Sequence, residues 1–119
     1  MKEDIIKEKT FDFALSVIKL YQKLVLEKEY VLSKQLLRSG TSIGANVEEA
    51  SAAISKKDFI SKISIASKEA RETRYWLLLL EKSQLVKLDF PCESHEVEQL
   101  INILTAIAKT SQQNNALRI

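Results

Sequence analysis

A chain of 119 residues with 45% apolar and 29% charged side chains is one domain, neither disordered nor membrane-like. Two glycines and one proline leave few forced turns, which favours long helices over a sheet with many tight turns. A net charge of +2 does not announce a polyanion binder, and the single cysteine, Cys92, makes no internal disulfide and fits a reducing compartment.

The mixed-charge start Met1-Lys2-Glu3-Asp4 is not followed by an apolar run with a cleavage site, so no secretory signal is expected. The longest apolar runs, such as Trp76 to Leu80, fall far short of the roughly 20 residues that span a bilayer. These features predict a cytoplasmic protein with no membrane partner. The charge is unevenly spread. Residues 1–54 carry 8 basic and 8 acidic side chains, residues 55–90 carry 8 and 5, and residues 91–119 carry 2 and 3. The positive excess therefore sits in the third quarter, either as a solvated helix face or as a weak surface for an anionic partner.

The periodicity predicts four helices, over about 4–28, 30–53, 55–83 and 94–111, in a single domain covering 1–119. On the first, Phe11, Ala14, Leu15, Ile18 and Val25 form one stripe and Phe13, Val17, Leu20 and Leu24 a second. Together they exceed the face that one core needs, which suggests burial against another subunit. The competing reading leaves Phe13 and Tyr21 partly exposed. The second segment contains Ser39-Gly40-Thr41-Ser42-Ile43-Gly44-Ala45-Asn46, which composition alone would make a loop. We read it as helix, because Gly40 and Gly44 share a face and would let another helix backbone approach closely. That packing must offset about 1 kcal/mol per glycine.

Ser55 is expected to cap the third helix, with Asp58 at its third position. Its buried face is Phe59, Ile60, Ile63, Ala66, Ala70, Thr73, Trp76, Leu77 and Leu80, and its i,i+4 pairs are Asp58–Lys62 and Lys68–Glu72. Phe90-Pro91 is the clear break. Ser94 is the expected cap of the fourth helix, which buries Val97, Leu100, Ile101, Leu104, Ile107 and Ala108, and the polar tail from Ser111 should fray. Short connections make the economical packing an antiparallel up-down-up-down four-helix bundle, all-α in class.

Tests for chemistry return little. A di-iron site needs carboxylates from four helices and two Glu-x-x-His motifs, whereas His95 is the sole histidine and Cys92, not Glu, stands three residues before it. Zinc lacks ligands for the same reason. A Cys92/His95 nucleophile pair has no orienting carboxylate, so the two read as a surface histidine and a semi-buried thiol. No phosphate loop is present. No cofactor, metal or catalytic activity is expected. Arg38, Ser42, Asn46 and Glu49 form a polar stripe on the second helix, away from Gly40 and Gly44, fit for a hydrogen-bonded network or a subunit contact.

The stretch Gln35-Leu36-Leu37-Arg38-Ser39-Gly40-Thr41-Ser42-Ile43-Gly44-Ala45-Asn46-Val47-Glu48-Glu49-Ala50 resembles the signature of four-helix proteins encoded by intervening sequences in bacterial 23S ribosomal RNA genes. Ser55-Lys56-Lys57-Asp58-Phe59-Ile60-Ser61-Lys62 and Lys68-Glu69-Ala70-Arg71-Glu72-Thr73-Arg74-Tyr75-Trp76-Leu77 are similar to that family's third helix, and Gly40 stands where many members carry alanine. The resemblance implies a ring-shaped homopentamer. A related class, the accessory variability determinant of diversity-generating retroelements, binds nucleic acid and a reverse transcriptase, so function comes only by analogy. Two readings follow. In one, an oligomer binds RNA or DNA without sequence preference through Lys56, Lys57, Lys62, Lys68, Arg71 and Arg74. In the other, the ring is a protein–protein adaptor with Tyr75 and Tyr21 as anchors.

Overall fold

The computed structural model describes residues 2–117, with side chains described from Asp4 to Gln113. Its four α-helices are α1 (Lys2–Leu26), α2 (Leu32–Ser51), α3 (Lys56–Ser83) and α4 (Pro91–Leu117), and there is no strand among the described residues. The molecule measures 53 × 22 × 22 Å, two helix diameters by two in cross-section. Each helix packs on the next, and α1 also packs on α4.

The register is fixed by particular pairs. Gly40 and Gly44 of α2 lie against Val17 and Thr10 of α1. Arg38 and Glu49 of α2 meet Glu72 and Lys62 of α3. Arg71 and Arg74 of α3 bond Thr105 and Glu98 of α4. Along every one of these seams, residue numbers rise on one helix as they fall on its neighbour.

The core takes the second of the two apolar stripes of α1. Phe13, Val17, Leu20 and Leu24 are buried with Leu36, Ile43 and Val47 of α2, Ile63, Leu77 and Leu80 of α3 and Val97, Leu100 and Leu104 of α4. Burying each such side chain is worth about 1.5–3 kcal/mol. The first stripe stays outside: Phe11 is 64%, Leu15 46% and Ile18 39% exposed. The expectation of surplus apolar surface on α1 is met, but not at Phe13, which is wholly buried. Tyr21 is half-buried.

α2 is one continuous helix through both glycines, because they are where α1 comes closest. A Cβ at Gly40 would stand 2.8 Å from both methyl carbons of Val17, and one at Gly44 would stand 3.3 Å from the Thr10 carbonyl oxygen.

The joints are tied down locally. α1 ends with Lys28 in the left-handed region, φ 66°. Lys28 N–H donates to the Val25 carbonyl and Glu29 N–H to the Leu24 carbonyl, both at 2.9 Å, a Schellman closure without its usual glycine. The Glu29 carboxylate then accepts from the backbone N–H groups of Val31, Leu32 and Ser33 at 3.0, 3.2 and 2.6 Å. It satisfies donors that the first turn of a helix leaves without partners. At the next joint Ser55 Oγ accepts from Asp58 N–H at 3.0 Å and starts α3.

α4 begins at Pro91, not at Ser94, whose N–H already donates to the Phe90 carbonyl at 3.1 Å. Proline suits the first helical position, where its missing donor costs nothing and its fixed φ is helical. The helix also continues through Leu117, past the point where the polar tail was expected to fray. Among the described residues no helix is long and apolar enough to cross a membrane.

Candidate nucleic-acid interface

The six candidate cations of the third helix separate by face. At about 100° per residue, Lys57, Lys68 and Arg71 fall within roughly 60° of one another on the side turned from the core, and Lys57, Lys68 and Arg71 are exposed. Lys62 points elsewhere. Its Nζ lies 3.0 Å from Glu49 Oε1 of α2, and that hydrogen bond and charge raise its pKa. Arg74 Nη1 lies 3.1 Å from Glu98 Oε1 of α4. Lys56 is half-buried at the start of α3. Lys56, Lys57 and Lys68 make no ion pair among the described residues, so the free positive charge is narrower than the six positions suggest. The i,i+4 pairs read from the sequence also shift: Lys62 pairs with Glu49 rather than Asp58, and Glu72 with Arg38 rather than Lys68.

Packing adds a cation that the charge count hid in an acidic segment. A groove of about 380 Å³ runs between α3 and α4, with Ser64, Ser67, Lys68 and Arg71 on one wall and Thr105, Ala108, Lys109 and Gln112 on the other. Arg71 Nη2 donates to Thr105 Oγ1 across it at 3.3 Å. No carboxylate among the described residues lines this groove.

The polar stripe of α2 faces α3. Arg38 reaches two carboxylates, Glu69 Oε2 at 3.3 Å and Glu72 Oε2, which raises its pKa, Glu72 contributing most. Trp76 Nε1 donates to the same Glu72 oxygen at 2.9 Å. The indole N–H first, and Arg38 after it, hold the Glu72 carboxyl below the usual carboxylate range against the opposing effect of burial. Deeper in the seam, Thr73 Oγ1 donates to the Glu69 carbonyl at 2.8 Å and lies 2.9 Å from Ser39 Oγ. Further along, Asn46 Nδ2 donates to the Ser42 carbonyl at 2.9 Å, and Glu49 takes Lys62. Arg38 and Glu49 thus reach across to α3, while Asn46 bonds back to Ser42 within α2.

On the opposite side, Phe11 and Ala14 of α1 and Thr41, Gly44 and Ala45 of α2 border a second groove that Lys7 and Glu48 also line, paired at 3.5 Å. A cleft between α1 and α4 holds Lys9, Asp12 and Glu96. Burial there pushes the Glu96 carboxyl up, Glu93 and Asp12 add to that, and Lys9 and His95 act against it. Cys92 is exposed in the first turn of α4 rather than semi-buried. Among the described residues no three of His, Cys, Asp and Glu gather as a metal site requires.

The model of the 23S rRNA-intervening sequence protein family matches residues 2–113. A crystal structure of a protein of unknown function from the S23 ribosomal protein family of Bacteroides thetaiotaomicron is similar over 92% of this chain and 99% of its own, with 44% identity and a TM-score of 0.87. No curated protein matches. The chain belongs to the 23S rRNA-intervening sequence protein family.

Proposed function

We propose that the chain is a non-catalytic, self-assembling bundle protein that binds the phosphate backbone of nucleic acid, structured RNA first, through the outward face of α3. The single observation that carries this is the division of the surface. Uncovered apolar side chains lie along α1, at Phe11, Leu15 and Ile18, while Lys57, Lys68 and Arg71 face outward on α3. An apolar face calls for a protein surface, and unpaired cations call for anions. The opposed seam contacts support helices that run alternately up and down, as an antiparallel bundle would. The family resemblance supports a ring-shaped homopentamer as the assembly, in which each copy repeats the same cations.

The adaptor reading keeps one observation of its own. Tyr75 and Leu78 are 56% and 52% exposed on α3, and exposed aromatics concentrate binding energy at protein interfaces. One stoichiometric protein partner retained after nuclease treatment would favour it.

The deciding experiment is affinity for a structured RNA and a matched DNA duplex across a salt series, with light scattering in the same buffer. A steep loss of affinity with salt, from an oligomeric particle, is the expected result. Replacing Lys56 and Lys57 with Glu should weaken binding and leave the melting temperature unchanged. An oligomer that binds neither nucleic acid at low salt would overturn the proposal.

A further inference from the structure

We propose that the groove between α3 and α4 is the phosphate-binding element, and that it takes one strand of a double-helical nucleic acid by its backbone. This rests on the nucleic-acid reading above and narrows it from a helix face to a two-helix site.

Between α1 and α4, Lys9 is accompanied by Asp12 and Glu96. Between α3 and α4 nearer the start of α4, Arg74 is accompanied by Glu81 and Glu98. Between α1 and α2, Lys7 pairs with Glu48. In each, a carboxylate would repel an incoming phosphate. Among the described residues, the groove flanked by Lys68, Arg71 and Lys109 carries three cations and no carboxylate.

Its remaining polar groups suit the same ligand. Ser64, Ser67 and Thr105 supply hydroxyl donors, which bond phosphate oxygens without reading sequence. Thr105 holds one of the five N–H donors of Arg71, which leans the planar guanidinium across the groove and leaves its other donors for a phosphate fork. Lys68 and Arg71 are one helical turn apart on the same wall, about 5–6 Å between their Cβ atoms, so they can serve neighbouring phosphates. No aromatic side chain among the described residues lines the groove. Unpaired bases would find nothing to stack on, whereas a duplex presents its backbone outward and needs no stacking surface. That selects double-helical over single-stranded nucleic acid.

The test uses the whole chain and three double variants: Lys68→Ala with Lys109→Ala in the groove, Lys56→Ala with Lys57→Ala at the start of α3, and Lys19→Ala with Lys23→Ala on α1. All three should keep the parent circular dichroism, since alanine is the best helix former. Binding to a short RNA duplex, the same sequence as a DNA duplex, and its single strand is followed between about 50 and 200 mM salt. The expected result is tighter binding of both duplexes than of the single strand. In the groove variant, the slope of log affinity against log salt should become shallower by about two for each engaged groove, with the α1 variant unchanged. If the parent binds duplexes but only the Lys56/Lys57 variant weakens, the groove is wrong and the nucleic-acid reading survives. If the single strand binds as tightly as the duplexes, the ligand class is wrong. If the parent binds none of the three at low salt, both proposals fall.

Discussion

Replacing Gly40 with alanine sets two effects of similar size against each other. Alanine in a helix interior is favoured over glycine by about 0.8–1.0 kcal/mol. The added methyl would stand 2.8 Å from both Cγ atoms of Val17, which is fully buried. Valine has one strongly preferred rotamer in a helix, so relief must come from moving α1 away from α2. Overpacking of this kind costs about 1–3 kcal/mol. The net expectation is a loss of roughly 0–2 kcal/mol. Val17→Ala alone removes two methyl groups and leaves a void, a loss of about 2 kcal/mol. In the double variant the new methyl at position 40 occupies part of that void, so the two changes should cost at least about 1 kcal/mol less than their sum. Urea unfolding at fixed protomer concentration measures all four corners of the cycle, since assembly would otherwise shift the apparent stability. A Gly40→Ala protein more stable by the full helix-propensity difference, with no coupling to Val17, would refute the close approach of α1 to α2. By the same reasoning, a relative with alanine in this place needs a smaller side chain opposite it.

Three further outcomes follow from the same contacts. Glu29→Ala removes the carboxylate that accepts three N–H groups at the start of α2 and should lower stability by about 1 kcal/mol in urea unfolding. Thr73→Val strands the buried Ser39 hydroxyl, with only the 3.5 Å contact to the Leu36 carbonyl left. The loss should be about 1–2 kcal/mol, mostly recovered when Ser39→Ala is added. Glu96 is harder to ionise in the folded chain than in the unfolded one, so ionisation erodes stability as pH rises from the unfolded carboxylate value, about 4.3, through the higher folded value. Glu96→Gln should therefore raise stability in urea unfolding at neutral pH, by less than about 1 kcal/mol in a partly exposed cleft, with no gain below about pH 4.

The helical segments were legible because their signals are local. Ser55 with Asp58 three residues on, the spacing of Val97, Leu100 and Leu104, and the small residues at Gly40 and Gly44 each act within a turn or two. Three features were less legible. The start of α2 depends on a glutamate cap, which propensity rules rank below Ser, Thr, Asp and Asn. Its signal was a carboxylate three residues ahead of the helix, a place where several residue types are ordinary. The start of α4 was misread because Pro91 counted as a breaker rather than as a first helical residue. The division of α1 into a buried stripe and an exposed one could not be ranked from periodicity, since both repeat correctly. Only the approach of α2 to Thr10 and Val17 decides that the face containing Phe13 turns inward.

The candidate interface was half legible for a different reason. Counting charge along the chain locates a positive excess but pairs it with nothing, and pairing is a property of seams. Lys62 and Arg74 count toward the excess and are neutralised across seams by Glu49 and Glu98. Lys109, in a segment of net negative charge, stands beside Lys68 and Arg71 because α4 runs along α3. What an anion meets is the local residue left after pairing. In this chain that residue is +3 in one groove, larger than the +2 of the whole molecule. Three phosphate contacts from one groove would give weak binding, easily lost to salt. Repetition of the groove in an assembly would raise the effective affinity without any new contact. Under the proposed assembly, the apolar stripe on α1 and the cations between α3 and α4 would be coupled in their consequences: replacing exposed Phe11 should then reduce nucleic-acid binding even though Phe11 lies outside the basic groove.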